Sequence, residues 1–322
     1  MELNDLPKVS FGLVNCNRLY YLQSCLESLE YCTKDYKNKE IFVFDNASIE
    51  KGTDEYLLEI EKRGIKVHKT QKRNPANEYA IALNRFLDSA SGEYICPLAG
   101  DMQFIVEGGW LERYVSVYEK FKNYIGNIMF DAQRIVTHNG HVFGNTIFDK
   151  DFSFVFDYSR PPIAGSANVM FHKDNIKIME KWTTRNDSHE GGGDMEEHML
   201  NKVKSLKNSG SVEWSQLLPM FPTSIAIYTD PRGTNARVRG NKIYGKYWKA
   251  KKAFNYYETY KYDEVVRLLR SNESYSRPFS IEQVAKTCGW DPFLDEKGVW
   301  LKNPIRPENC SKDDYIDLEE GE

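Results

Sequence analysis

Polar residues in this chain gather where apolar runs end. Asn15-Cys16-Asn17-Arg18 follows one such run, Asp45-Asn46-Ala47-Ser48 a second, and Ala99-Gly100-Asp101 a third. Open α/β sheets bind ligands beyond the carboxyl ends of their strands, so three polar clusters along one such edge are what a nucleotide crevice requires. The usual phosphate cradles are missing: the chain has no G-x-x-x-x-G-K-[ST], and no G-x-G-x-x-G follows the first apolar run. Further along, Gly193-Asp194-Met195-Glu196-Glu197-His198 places carboxylates where a helix begins. The helix dipole favours negative charge there, which suits Asp194 equally as a proton acceptor or as a plain N-cap. Glu196 and Glu197 are rival acceptors. His198 lies four residues after Asp194, on the same helix face, as a surface histidine or a metal ligand. A basic stretch, with Arg232, Arg237, Arg239 and Lys242 beside Gly233 and Gly240, has the guanidinium forks that grip phosphate oxygens two at a time. A solvated basic loop, or one paired with the acidic C-terminus, is the plain alternative.

The elements that must position these residues are legible from hydrophobic spacing. Val9 to Val14 reads as a buried strand, and Leu22, Cys25, Leu26 and Leu29 recur at the spacing of an amphipathic helix. Ile41 to Phe44 is a second strand, Tyr56, Leu57 and Ile60 mark a second helix, and Ile65 to Val67 a third strand. Ala80, Ile81, Leu83, Asn84 and Leu87 make a third helix closed by Ser91-Gly92, and Tyr94 to Leu98 a fourth strand. Strands alternating with helices predict a parallel sheet covered on both faces. After a helix over Trp110 to Phe121, Asn139-Gly140 carries a hairpin signal. A strand at Ala167 to Phe171, a helix from Asp174 to Trp182, a helix starting near Asp194 and a strand at Ile225 to Tyr228 follow.

Residues 1–246 read as one domain. Residues 247–322 read as a helical extension, rich in Lys and Tyr, that ends in an acidic tail expected to be disordered. Within it, Ser280 and Gln283 form a capping box, but no basic recognition helix follows. With a net charge of −4, the chain also lacks the global basic field that recruits nucleic acid. The 6 cysteines form no C-x-x-C pair. The N-terminus lacks a secretory pattern, and no apolar run approaches the roughly 20 residues of a membrane span. A reduced, cytoplasmic protein is expected.

The order and spacing of the motifs resemble family 2-type glycosyltransferases of the GT-A fold. Asn15-x-Asn17-Arg18 before the first helix resembles the opening of that family. Phe42 to Ser48 with Gly52-Thr53 resembles its "V-x-D-N-x-S-x-D-G-T" segment. Ala82, Asn84, Ala90, Gly92 to Ile95, Leu98 and Asp101 match its run ending in D-x-D, and Gly193 to His198 resembles its "E-D-x-x-L" helix start. The resemblance covers roughly residues 8–200.

It implies a GT-A-like mixed α/β sheet flanked by helices. It also implies transfer of a sugar from a nucleotide diphosphate, UDP-linked by default, to a hydroxyl of a glycan, lipid-linked or protein-linked acceptor. Asp45 then contacts the nucleobase, where the plain alternative is an Asx turn. Asn15, Asn17, Arg18 and Asn84 lie at the donor nucleotide, Arg237 and Arg239 close over its diphosphate, and Asp194 is the general base of an inverting reaction. Asp101 holds a divalent cation, Mn²⁺ or Mg²⁺, under the diphosphate. Ala99 stands where the family's first Asp of D-x-D would be, which leaves one carboxylate for the metal. Two other readings stay open: a nucleotidyltransferase on a similar sheet, and a degenerate GT-A domain that binds sugars without turnover.

Overall fold

The computed structural model describes residues 6–74, 77–100, 102–130, 154–157, 168–184, 193–219, 225–228, 247–250, 260–263, 293–294, 300–301 and 315–318. The first part follows the expected alternation: β1 (Val9–Asn15), α1 (Leu19–Cys32), β2 (Lys39–Asp45), α2 (Thr53–Lys62), β3 (Lys66–Lys69), α3 (Glu78–Ser89) and β4 (Tyr94–Leu98). Two short strands, β5 (Met102–Phe104) and β6 (Val106–Glu107), come before α4 (Trp110–Lys120) and β7 (Ile125–Met129). β8 (Phe154–Asp157), β9 (Val169–His172), α5 (Lys173–Met179), α6 (Gly193–Asn208), β10 (Ser215–Pro219) and β11 (Ala226–Tyr228) follow.

The main sheet has the order β3-β2-β1-β4-β9-β7-β10-β8. β1, β2, β3 and β4 are mutually parallel neighbours, and β10 runs parallel to β7. β9 is antiparallel to both β4 and β7, and β8 is antiparallel to β10. The sheet is therefore mixed, and reversed β9 joins a parallel half to a second set of strands. Strand order turns around at β1: the chain goes from β1 outward to β2 and β3, then returns through α3 to place β4 on the other side. Ligands of open α/β sheets bind beyond the carboxyl ends of the strands at such a reversal, here β1 and β4.

Helices cover both faces because the central strands are apolar on both. Successive side chains of a strand point to opposite faces. Val9, Phe11 and Leu13 of β1 join one core cluster with α1, α2 and α4, whereas Phe42 and Phe44 of β2 join the other with α3, α5 and α6. On the α3 side β1 has Gly12, and the close approach of the helix requires it. A Cβ at Gly12 would lie 2.6 Å from ring carbons of Phe86, which is itself fully buried.

The amino edge of the sheet is tied by one carboxylate. Glu40 accepts hydrogen bonds from Ser10 Oγ (2.7 Å), Ser91 N (2.7 Å), Ser91 Oγ (2.9 Å) and Lys66 Nζ (2.7 Å). It thereby links β1, β2, β3 and the α3–β4 turn. Burial raises its pKa, but the hydrogen bonds from Lys66, Ser10 and Ser91 outweigh that and hold it down at about 2.

The described stretches of residues 247–322 are mostly strands where a helical extension was expected. β12 (Tyr247–Ala250) pairs antiparallel with β16 (Tyr315–Leu318). β13 (Tyr260–Lys261) pairs parallel with β6, and β14 (Phe293–Leu294) pairs with β15 (Trp300–Leu301). Within the acidic stretch, Tyr315–Leu318 is strand, where an aromatic, a β-branched and an apolar residue interrupt the charges. The Asn139-Gly140 hairpin signal, the glycines before Gly193, the basic stretch around Arg237 and the capping box at Ser280 lie outside the described residues. No helix among the described residues is long and apolar enough to cross a membrane. Cys16, Cys25, Cys32 and Cys96 are free thiols.

Gly12→Ala should lower stability by about 1–3 kcal/mol through overpacking against Phe86, read as a lower urea midpoint at unchanged slope. The double variant Gly12→Ala/Phe86→Leu should regain part of the loss, and equal midpoints for wild type and Gly12→Ala would refute the close approach. Glu40 supplies a pH test. Its folded pKa lies below the ordinary 4.5, so its stabilisation is present above that value and is lost as pH falls from there towards 2. Wild type should lose stability across that window more steeply than Glu40→Gln, which should already be less stable at pH 7. Parallel stability profiles for the two proteins would contradict this.

Candidate active site

The crevice is built around Asp45, the last residue of β2, which sits opposite Asn15, the last residue of β1. Asp45 is wholly buried, and Asn15, Asn17, Asn46 and Ser48 are almost so. One carboxylate oxygen of Asp45 accepts from Asn15 Nδ2 (2.8 Å) and from Ser48 Oγ (2.6 Å), and the other accepts from the Ser48 N–H (2.9 Å). The Ser48 hydroxyl in turn accepts from the Asn17 N–H (2.7 Å) and from Asn15 Nδ2 (3.3 Å). A hydroxyl has one donor and two acceptor sites, and here all three are used.

A second layer of bonds completes the brace. Asn17 Oδ1 accepts from the N–H groups of Ile49 (2.7 Å) and Glu50 (3.3 Å), and Glu50 Oε2 accepts from the Leu19 N–H (2.8 Å), capping α1 from the neighbouring loop. The Asp45 carbonyl accepts from the Thr70 N–H (2.9 Å), which brings in the end of β3. Asn17 and Ala47 both adopt left-handed conformations, each with φ 50°. For Ala47, which lacks a side chain to bond locally, this costs roughly 1–2 kcal/mol. The surrounding bonds are what hold it there. Arg18 stands half-buried at the rim, its guanidinium 4.7 Å from the centre of the Tyr21 ring.

The opposite wall is the loop after β4. Gly100 has φ 77°, and a Cβ there would lie 3.0 Å from the Val14 carbonyl, so this loop folds closely over the end of β1. The Ala99 N–H donates to Asn168 Oδ1 (3.1 Å).

The structure therefore brings together Asn15, Asn17, Arg18 and Asp45, as the strand-end clusters predicted. Asp45 forms the Asx-type turn that was the plain alternative for it, bonding to Ser48 three residues on. Asn84 is engaged elsewhere, in the body of α3. Its Nδ2 donates to the Trp182 carbonyl (2.7 Å) and its Oδ1 accepts from the Trp182 N–H (2.9 Å), so it clamps the chain that follows α5. Asp194, Glu196 and Glu197 are the second, fourth and fifth residues of α6. That helix is seated by Met199 and Val203 in the core cluster that also holds Val14, Phe44 and Met129 near the carboxyl ends of their strands. At 1.5 Å rise per residue, Asp194 is about 7.5 Å along the axis from Met199. His198 is exposed. Asp101, Arg237 and Arg239 lie outside the described residues.

Among the described residues no group of three His, Cys, Asp or Glu side chains comes together to hold a metal ion. Position 99 offers no side-chain oxygen, and its N–H is taken by Asn168. The described residues therefore do not fit a divalent cation by themselves. Ser48, Glu50, Thr70 and Asn168 contribute to the brace without having been singled out in the sequence. Ser48 stood inside a recognised motif, and Asn168 lay inside the strand expected at Ala167 to Phe171, its one signal being that Asn is depleted in strands and tolerates the left-handed region.

Residues 10–178 match the family model for glycosyl transferase family 2. No curated protein matches the chain. Among solved structures, residues 1–349 of S. aureus TarS share 14% identity over 66% of this chain and 60% of that one, with a TM-score of 0.46. The mannosyltransferase PcManGT from Pyrobaculum calidifontis, in complex with GDP-Man and Mn²⁺, shares 14% over 66% of this chain and 57% of its own, with a TM-score of 0.43. TarS 1–349 in complex with UDP-GlcNAc shares 16% over 61% of this chain and 54% of its own, with a TM-score of 0.42. This chain thus spans about three fifths of the length of the first of these. The family match takes in more than half of the chain and includes the ends of β1, β2, β3 and β4 with the loops that brace them; the chain belongs to glycosyl transferase family 2.

Proposed function

We propose that this protein transfers a sugar from a nucleotide diphosphate donor to an acceptor hydroxyl, with inversion at the anomeric carbon. The observation that carries the reading is the brace of Asn15, Asp45 and Ser48 at the carboxyl ends of β1 and β2, beside the point where strand order reverses, in a chain of this family. A rigid pocket there orients the nucleotide, and its rim residue Arg18 faces the donor. UDP is the default base, and the acceptor is a glycan, lipid-linked or protein-linked hydroxyl. In the transfer step the acceptor oxygen attacks the anomeric carbon as Asp194 takes its proton, and the nucleoside diphosphate leaves. Glu196 and Glu197 are the alternative bases.

The leaving diphosphate must be neutralised. Asp101 is the one carboxylate of the D-x-D positions in the sequence, and a single carboxylate is a thin site for Mn²⁺ or Mg²⁺. We therefore assign this work mainly to Arg237 and Arg239. In support, β11 ends at Tyr228 opposite Met102, so the chain bearing these arginines departs next to the residue that follows Asp101. Ala99 favours one second reading, a domain that binds the donor without turnover. The cytoplasmic location expected from the cysteine usage is part of the proposal.

A thermal-shift panel of UDP- and GDP-linked sugars and their free nucleoside diphosphates, with Mn²⁺ and with EDTA, tests the donor. A true ligand at about 100 times its Kd stabilises by about 2.7 kcal/mol. No upward shift with any member, together with no donor hydrolysis, would sink the reading; a shift without any hydrolysis or transfer would favour binding alone. Equal shifts with Mn²⁺ and EDTA would remove the cation. For the chemistry, Asp194→Asn should leave donor affinity within a few-fold while turnover falls by about 10²-fold or more. Near-normal turnover in that variant would move the base to Glu196 or Glu197.

A further inference from the structure

Asn168 sits where three segments of the sheet meet, just before β9. It is buried, with φ 72°. Its N–H donates to the Pro97 carbonyl (2.6 Å) inside β4, and its own carbonyl accepts from the Phe130 N–H (3.1 Å) just past β7. Its side-chain Oδ1 accepts from the Ala99 N–H (3.1 Å). Regular pairing between β4 and β9 covers Tyr94 with His172 and Ile95 with Phe171. Beyond Leu98 strand β4 has ended, and the amide of Asn168 carries the pairing one step further, onto the loop.

From this we propose that Asn168 is a positioning residue for the phosphate end of the donor, acting through the Ala99–Gly100 loop. The proposal rests on the glycosyl-transfer reading. The peptide it grips joins Leu98 to Ala99 at the start of the loop, and on its other side Gly100 packs so closely that a Cβ there would lie 3.0 Å from the Val14 carbonyl. Position 99 has no carboxylate of its own, so what Ala99 and Gly100 offer the diphosphate is their main chain, and its place depends on where Ala99 is pinned. A left-handed backbone aims the Asn168 amide back at β4, and Asn tolerates that conformation better than most residues.

The discriminating variant is Asn168→Gly, which accepts the left-handed conformation and keeps the main-chain bonds while removing the side-chain amide, the Oδ1 acceptor included. Asn168→Asp keeps an acceptor oxygen in the same place and serves as the conservative rescue. The probes are UDP and GDP, each against its nucleoside, uridine or guanosine, titrated into the full chain. We expect Asn168→Gly to weaken diphosphate binding about 5-fold, the scale of one lost hydrogen bond, with nucleoside affinity unchanged and Asn168→Asp close to wild type. A merely structural role would lower the melting temperature yet leave the ratio of diphosphate to nucleoside affinity as in wild type, and that result would overturn the inference alone. Should Asn168→Gly not fold, Asn168→Ser, too short to reach Ala99, replaces it under the same criteria. Wild-type protein that binds neither diphosphate would overturn the glycosyl-transfer reading itself, and this inference with it.

Discussion

A carboxylate removed from water must find its hydrogen bonds inside the protein, because leaving a buried charge unsatisfied costs several kcal/mol. Asp45 finds them in Asn15, at the end of the neighbouring strand, and in both polar groups of Ser48. Its main chain holds Thr70 after β3. The ends of three adjacent strands are consequently fixed to one residue, two through its side chain and main chain pairing and the third through its carbonyl. The left-handed backbone at Asn17 and Ala47 is held by the same bonds. A crevice that must orient a flexible, charged ligand gains from walls already set before the ligand arrives.

The two ends of the sheet solve similar problems with different chemistry. At the amino edge Glu40 also ties several strands, but two of its neighbours are the ammonium groups of Lys66 and Lys8, the latter at 3.5 Å. Charge meets charge there, near the surface, and the link is sensitive to acid. At the carboxyl edge Asp45 is held by an amide, a hydroxyl and a main-chain N–H, wholly out of solvent. Neutral donors satisfy the carboxylate there without adding cations of their own.

Between these edges the close contact of β1 and α3 sets the geometry of the parallel half. Gly12 lets Phe86 approach the strand directly, and Asn84, two residues earlier on the helix, grips Trp182. One short helix thus joins the parallel half to the chain that leads on to α6, where Asp194 lies. Reversed strand β9 makes the second join, and Asn168 at its start transmits that join to the loop before Asp101.

The sequence by itself determined the local elements through β4, the placement of polar clusters at their ends, and the family. Those signals are local: apolar spacing of two or three to four residues, and motifs contiguous along the chain. It did not reveal β5, β6, β7, β8 or β10. Ile125–Met129 is buried along its whole length and so shows no alternation, while Ser215–Pro219 is short and ends in a proline. The reversal of β9 between β4 and β7, the use of Asn84 as a clamp on Trp182, and the convergence of Asn15 and Thr70 on Asp45 were decided only in three dimensions. Each joins residues far apart in the chain, and an Asn or a Ser has the same hydrogen-bonding capacity at a ligand as against a distant backbone. Only the packing of the sheet determines which partner it meets.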